Sequence, residues 1–189
     1  EVPYALLMSD EDQDSDGITS ENIVTLNRII FSDGINVENN SRITFAYPGQ
    51  YLVTARFQFA NRGNAAQEFE VWAKNSGVNY PLSNTRFDIP ARKSLSIYSH
   101  VTANISGIFT VTNEEYLEFA WWSDGADMYI EHYAAGTSPH GQRLHRLSSL
   151  SHLSQHYQPG LCQPFQISFH WLVQPPQWQL GLVFHRGLF

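Results

Sequence analysis

Between Arg42 and Phe59 the chain reads RITFAYPGQYLVTARFQF, two alternating runs of apolar and polar residues joined by Pro48-Gly49. In the second run Tyr51, Val53, Ala55, Phe57 and Phe59 alternate with Leu52, Thr54, Arg56 and Gln58. A period of two sends successive side chains to opposite faces of a pleated strand. The aromatic set therefore faces a core, and the set holding Arg56 and Gln58 faces water or a neighbour.

The same pattern recurs along the chain. Residues 23–31 (IVTLNRIIF) form a β-branched run closed by Ser32-Asp33-Gly34, and Ile35 to Val37 is a short strand. Residues 67–74 (QEFEVWAK) alternate up to Asn75-Ser76-Gly77, a hairpin-turn signal. Thr85 to Ile89 is stopped by Pro90, and 94–103 and 107–111 follow as two further strands. Asn113-Glu114 precedes YLEFAWW, Asp124-Gly125 follows it, and Met128 to His132 closes the set. These are roughly eight to ten short strands with a turn about every 8 to 12 residues, the spacing of an all-β sandwich or jelly roll. No helical period interrupts them before residue 137.

Composition narrows the class. Hydrophobic residues make up 42% of the 189 and aromatics 14%, enough for a sizeable core. A net charge of -7 argues against a nucleic-acid partner, which calls for clustered Lys and Arg. The one cysteine, Cys162, cannot form an internal disulfide, and no apolar run is long enough for a membrane helix. The first residues, EVPYALLMSDEDQDSDG, put acids where a signal peptide has a basic region and lack an initiating Met, as in a processed product or a portion of a longer chain. Three parts are expected: an acidic arm or loop over 1–21, a strand-bearing domain over 22–137, and an atypical tail over 138–189. The tail has no Asp or Glu and holds six of the eight histidines.

Candidate chemistry is sparse. Asp12 to Gly17 matches the first half of a calcium loop, but the twelfth position, which needs a bidentate Glu, is Ile23. His140, His145, His152 and His156 fit no zinc spacing. Glu68 and Glu70 share a strand face, which suits a solvated surface as well as a glycosidase pair. No nucleophile motif or phosphate-cradling glycine loop appears. The expectation is a non-enzymatic protein with no cofactor and no metal. The aromatics matter more. Trp72, Tyr98, Tyr116, Trp121 and Trp122 cannot all share one inner face, and the adjacent Trp121 and Trp122 point to opposite sides of a strand. One of the two needs a second burial site, under a loop or in a subunit interface. Alternatively Trp122, Tyr129 and Tyr133, near Asp124-Gly125 and Asp127, form a platform for a sugar ring.

Three ordered segments carry a resemblance: NNSRITFAYPGQYLVTARFQFAN, VWAKNSGVNYPLSNTRFDIP and EEYLEFAWWSDGADMYIE. Over about residues 22 to 137 they resemble bacteriophage virion proteins with a C1q/TNF-like jelly roll. The resemblance implies a homotrimer located on the virion, as a tail or head fibre tip or a capsid decoration knob. It implies contact with other virion proteins and with a host surface glycan or receptor, and neither nucleic-acid binding nor membrane insertion. Glycan binding, or less favourably polysaccharide depolymerisation, is the alternative activity. Members of that family close with a β-branched strand after a loop like Ala134 to Pro139, and here that strand is missing. A back-translation of 140–154 read one base early encodes PRPAITSVIVTLTFI, a strand of the required kind. The tail is thus read as a frameshift product or as a genuine divergent ending.

Overall fold

The computed structural model describes residues 3–132 and 166–171. Fourteen strands and no helix occur among them. They are β1 (Tyr4–Met8), β2 (Gln13–Asp14), β3 (Asn22–Ile23), β4 (Arg28–Asp33), β5 (Ile35–Glu38), β6 (Arg42–Phe45) and β7 (Gly49–Asn61). After these come β8 (Gln67–Asn75), β9 (Val78–Asn79), β10 (Thr85–Ile89), β11 (Ser99–Val111), β12 (Tyr116–Ser123), β13 (Met128–Ile130) and β14 (Gln166–Trp171).

Two antiparallel sheets face each other. The first runs β4-β1-β14-β7-β11, with β13 and β2 continuing from the far end of β7. The second runs β5-β6-β12-β8-β10, with β3 beside β12 and β9 beside β8. Eight of these strands pair in a nested way along the chain. β1 pairs with β14, β6 with β12, β7 with β11, and β8 with β10. First with last, second with seventh, third with sixth and fourth with fifth is a long hairpin rolled across two sheets, which is a jelly roll.

The alternation read from the sequence sets the core. Tyr51, Val53, Ala55, Phe57 and Phe59 of β7 all point inward and are fully buried. They meet Phe69, Val71 and Ala73 of β8 and Leu117, Phe119 and Trp121 of β12. Ring centroids lie 4.0 Å apart for Phe59 and Phe69, and 5.3 Å apart for Phe59 and Trp121. Each such side chain stabilises the fold by roughly 1.5–3 kcal/mol through burial alone.

Several expectations are corrected. Residues 4–8 are not part of an arm: β1 lies between β14 and β4 in the first sheet, with Ala5 and Leu7 in the core. Residues 166–171 lie inside the roll, not in a separate tail, and Ile167 is fully buried beside Ala55 of β7. The boundaries expected at 21/22 and 137/138 therefore separate strands that pair with each other. The physical reason is closure: without β14, β1 and β7 would each expose a row of unpaired amides and carbonyls in mid-sheet. The rest of 138–189, including the proposed change of frame at 140–154, lies outside the described residues. The run 23–31 divides between sheets as β3 and β4. Residues 99–103 and 107–111, expected in two strands, belong to one strand, β11, paired with β7 over its whole length, and 94–98 precede it outside the strand. Pro48-Gly49 closes no hairpin; it carries the chain from the second sheet to the first. Asn75-Ser76-Gly77 is a hairpin turn as expected, with φ of +50° at Ser76 and +82° at Gly77, the pair of left-handed residues that such a turn requires.

Candidate functional site

The two sheets differ sharply on their outward faces. On the second sheet, the outward positions of β8, β10, β12 and β6 hold Glu68, Glu70, Lys74, Arg86, Asp88, Glu118 and Arg42. Most of these charges are paired. Arg86 bonds Glu68 and lies 3.9 Å from Glu70, Arg42 lies 3.6 Å from Glu118, and Lys74 bonds Glu21. Glu68 and Glu70, considered as a hydrolase pair, are thus both held by one guanidinium.

The first sheet's outward face is built otherwise. Its cross-strand rows follow from register. Tyr4 aligns through His170 with Leu52 and Ile108, Leu6 through Ser168 with Thr54 and Ser106, and Met8 through Gln166 with Arg56 and Asn104. Among the described outward positions of β1, β7 and β11, Arg56 is the only permanent charge. Small hydroxyls occupy the middle, where Thr54 and Ser106 share a hydrogen bond of 3.3 Å. Apolar side chains occupy one end and both margins. At the β4 margin Ile29, Ile30 and Phe31 are 45%, 39% and 52% exposed. Phe31 and Tyr4 place their rings 6.0 Å apart there. At the β11 margin Ile108 and Leu82 are exposed beside a cavity of about 250 Å³ lined by Tyr80, Ser83 and Phe109.

The opposite end of the face is polar. The Glu131 carboxylate accepts hydrogen bonds from Gln58 of β7 (2.8 Å) and from the Tyr129 hydroxyl (3.2 Å), and lies 3.1 Å from His100 Nε2 on β11. Tyr129 aligns with Ala60 and lies beneath the guanidinium of Arg62, 5.3 Å away, which itself pairs with Asp14 at 2.8 Å. The Tyr98 ring stands perpendicular to it at 6.4 Å. Burial, followed by the neighbouring Glu131 charge, holds the Tyr129 hydroxyl protonated well above the usual phenol range.

The candidates Trp72, Tyr98, Trp121, Trp122 and Tyr129 thus separate. Tyr98 and Tyr129 meet at the polar end of the first sheet. Trp72 and Trp122 are half-buried on the outside of the second sheet. Trp72 donates its indole N–H to Asn79 Oδ1, and Trp122 donates to the carbonyl of Ile18, beneath the loop leading to β3. Trp121 is wholly in the core, and its Nε1 finds no partner among the described residues. Tyr133 lies outside the described residues, as do the tail histidines other than His170. The calcium-like loop is otherwise engaged: Asp12 accepts from the His132 amide, and Asp14 pairs with Arg62. Among the described residues no group of three or more His, Cys, Asp or Glu side chains could hold a metal ion. Sequence reasoning missed the apolar margin of β1 and β4. Its signal was the unbroken run Ile29-Ile30-Phe31, which one buried face cannot absorb.

No family model matches the chain, and no curated protein matches it. Among solved structures, murine APRIL at pH 5.0 is similar at 11% identity, over 91% of this chain and 100% of that one, with a TM-score of 0.49. The jelly roll rests on the strand order, not on this likeness.

Proposed function

We propose that this protein is a non-enzymatic structural component of a phage particle, a homotrimeric knob assembled through the outward face of the first sheet. The observation that carries the reading is the contrast between the faces: one is covered with charges, most of them paired, whereas the middle of the other, over β1, β7 and β11, carries Arg56 alone and is edged by exposed apolar side chains. Exposed apolar area of this kind marks an interaction surface. The β4 and β11 margins stand at opposite edges of the sheet. A contact that joins one margin of a copy to the other margin of the next is head-to-tail; with a threefold rotation such contacts close into a ring, and otherwise they run on as a filament. Three copies is the number the sequence resemblance implies, as is the place on the virion. The mechanical role follows from the construction, since a ring of rolled sheets that covers its edges presents only loops and charged faces to its surroundings.

The test is the solution mass of the full chain by light scattering coupled to size exclusion. The expected result is three times the 21.5 kDa chain mass. A monomer at micromolar concentration would end this reading and leave the fold intact.

A further inference from the structure

Trp122 and Tyr129 form no common platform, because they lie on different sheets; on its own face Trp122 has Trp72 for a neighbour. In the β8–β12 ladder Trp72 is opposite Ala120 and Trp122 is opposite Glu70, so the two indoles are diagonal neighbours on adjacent strands. The Cβ atoms of such a diagonal pair are about 7 Å apart. Ala120, which completes that corner of the outward face, brings only a methyl group. Each indole is held at its edge: Trp72 donates to Asn79 Oδ1 at 3.0 Å, and Trp122 donates to the Ile18 carbonyl at 2.7 Å. Both side chains remain partly exposed, and with the N–H satisfied what each offers to solvent is carbon.

Polar groups stand beside this aromatic pair. Glu70 is opposite Trp122 on one side and Arg86 on the other. Arg86 bonds Glu68 but lies 3.9 Å from Glu70, beyond hydrogen-bonding distance, and its side chain is 62% exposed. One row thus sets an indole next to a carboxylate with lone pairs to spare and a guanidinium with donors to spare. Fixed aromatic carbon flanked by donors and acceptors matches a pyranose, whose C–H face is apolar and whose hydroxyls both give and accept hydrogen bonds. We infer that Trp72 and Trp122, with Glu70 and Arg86, form a binding site for a neutral oligosaccharide. Acids outnumber bases around the pair, with Glu21, Glu68, Glu70 and Asp88 against Lys74 and Arg86, so a uronate or sialate is repelled. Because both rings are already held in the free protein, binding is spared the cost of ordering them. The site lies on the sheet that the proposed assembly leaves uncovered and is complete within one chain, so it does not depend on the trimer.

The experiment applies the full chain to an array of neutral, sialylated and uronate-bearing oligosaccharides and titrates the strongest neutral binder by calorimetry. Binding is expected among the neutral saccharides. Trp72→Ala and Trp122→Ala are each expected to weaken it about tenfold or more, with the fold checked by far-UV circular dichroism. Arg86→Met, at an exposed position, is expected to weaken it about threefold or more, and it serves as the test if an indole variant fails to fold. Tyr129→Phe, on the other sheet, is expected to leave the affinity unchanged. No binding to a neutral saccharide, a preference for the acidic ones, or an unchanged affinity in Arg86→Met or in a folded indole variant overturns the site. None of these outcomes bears on the solution mass, which tests the assembly separately.

Discussion

At the scale of single residues, the polar end of the first sheet is the most interlocked part of the outward surface. Tyr129 is fixed by its bond to Glu131, by Arg62 over its ring and by Tyr98 at its side. Its ionisation is suppressed by burial first and by the Glu131 charge second. The consequence for stability has a definite sign. Below about pH 10 folded and unfolded chains both carry the phenolic proton, so Tyr129 adds no pH dependence. Above it the unfolded chain loses the proton while the folded chain retains it, and stability falls as pH rises. Denaturant unfolding from pH 8.5 to 11 is expected to show this decline, and Tyr129→Phe is expected to flatten it. An unchanged slope in the variant would assign the decline to other groups. Trp121 is the residue-scale cost of the core, an indole N–H with no partner among the described residues, accepted because the ring packs against Phe59.

At the scale of elements, β14 decides whether the roll closes. It lies between β1 and β7, pairing with both, and it carries Ile167 into the core. A buried isoleucine reduced to alanine loses transfer energy and leaves a cavity, a combined cost of about 2–5 kcal/mol, whereas valine costs about 1 kcal/mol. Ile167→Ala and Ile167→Val are expected to separate by this margin in urea unfolding. Equal, negligible costs would mean that another segment of this chain occupies the slot in solution. The element boundaries were only partly legible from the chain. β11 was expected as two strands because Gly107 interrupts the apolar pattern, yet its place opposite Val53 holds the pairing continuous. β1 was missed because YALLM lies between acidic and turn-rich residues, and only its pairing with β14 and β4 makes it a strand.

At the scale of the whole molecule, the charge is distributed by sheet. The second sheet's exterior resists association by requiring its ion pairs to be desolvated, whereas the apolar and hydroxyl positions in the middle of the first sheet, from Tyr4, Leu6 and Leu52 to Thr54, Ser106 and Ile108, carry no such pairs. The proposed assembly should therefore be sensitive to a charge at the apolar end of the first sheet and insensitive to one on the second. Leu52→Asp is expected to yield monomers of normal fold by light scattering and far-UV circular dichroism. Asn36→Asp, on the outer face of the second sheet, is expected to leave the mass unchanged. Dissociation by both or by neither would show that the face does not choose the partner.

The sequence by itself determined the all-β class, most of the strands, the hairpin turn at Asn75 to Gly77 and the inward set of each long strand. Those features are local: alternation and turn chemistry depend on residues a few positions apart. It also divided the adjacent Trp121 and Trp122 between opposite faces, but not which of them enters the core. Tertiary structure alone decided that choice, the crossing between sheets at Pro48-Gly49, the seat of β1 and β14 in mid-sheet, and the isolation of Arg56 among neutral neighbours. Each of these depends on which strand lies beside which. Strand pairing joins residues more than a hundred positions apart, as β1 and β14 are, and a period of two distinguishes two faces without saying what covers either.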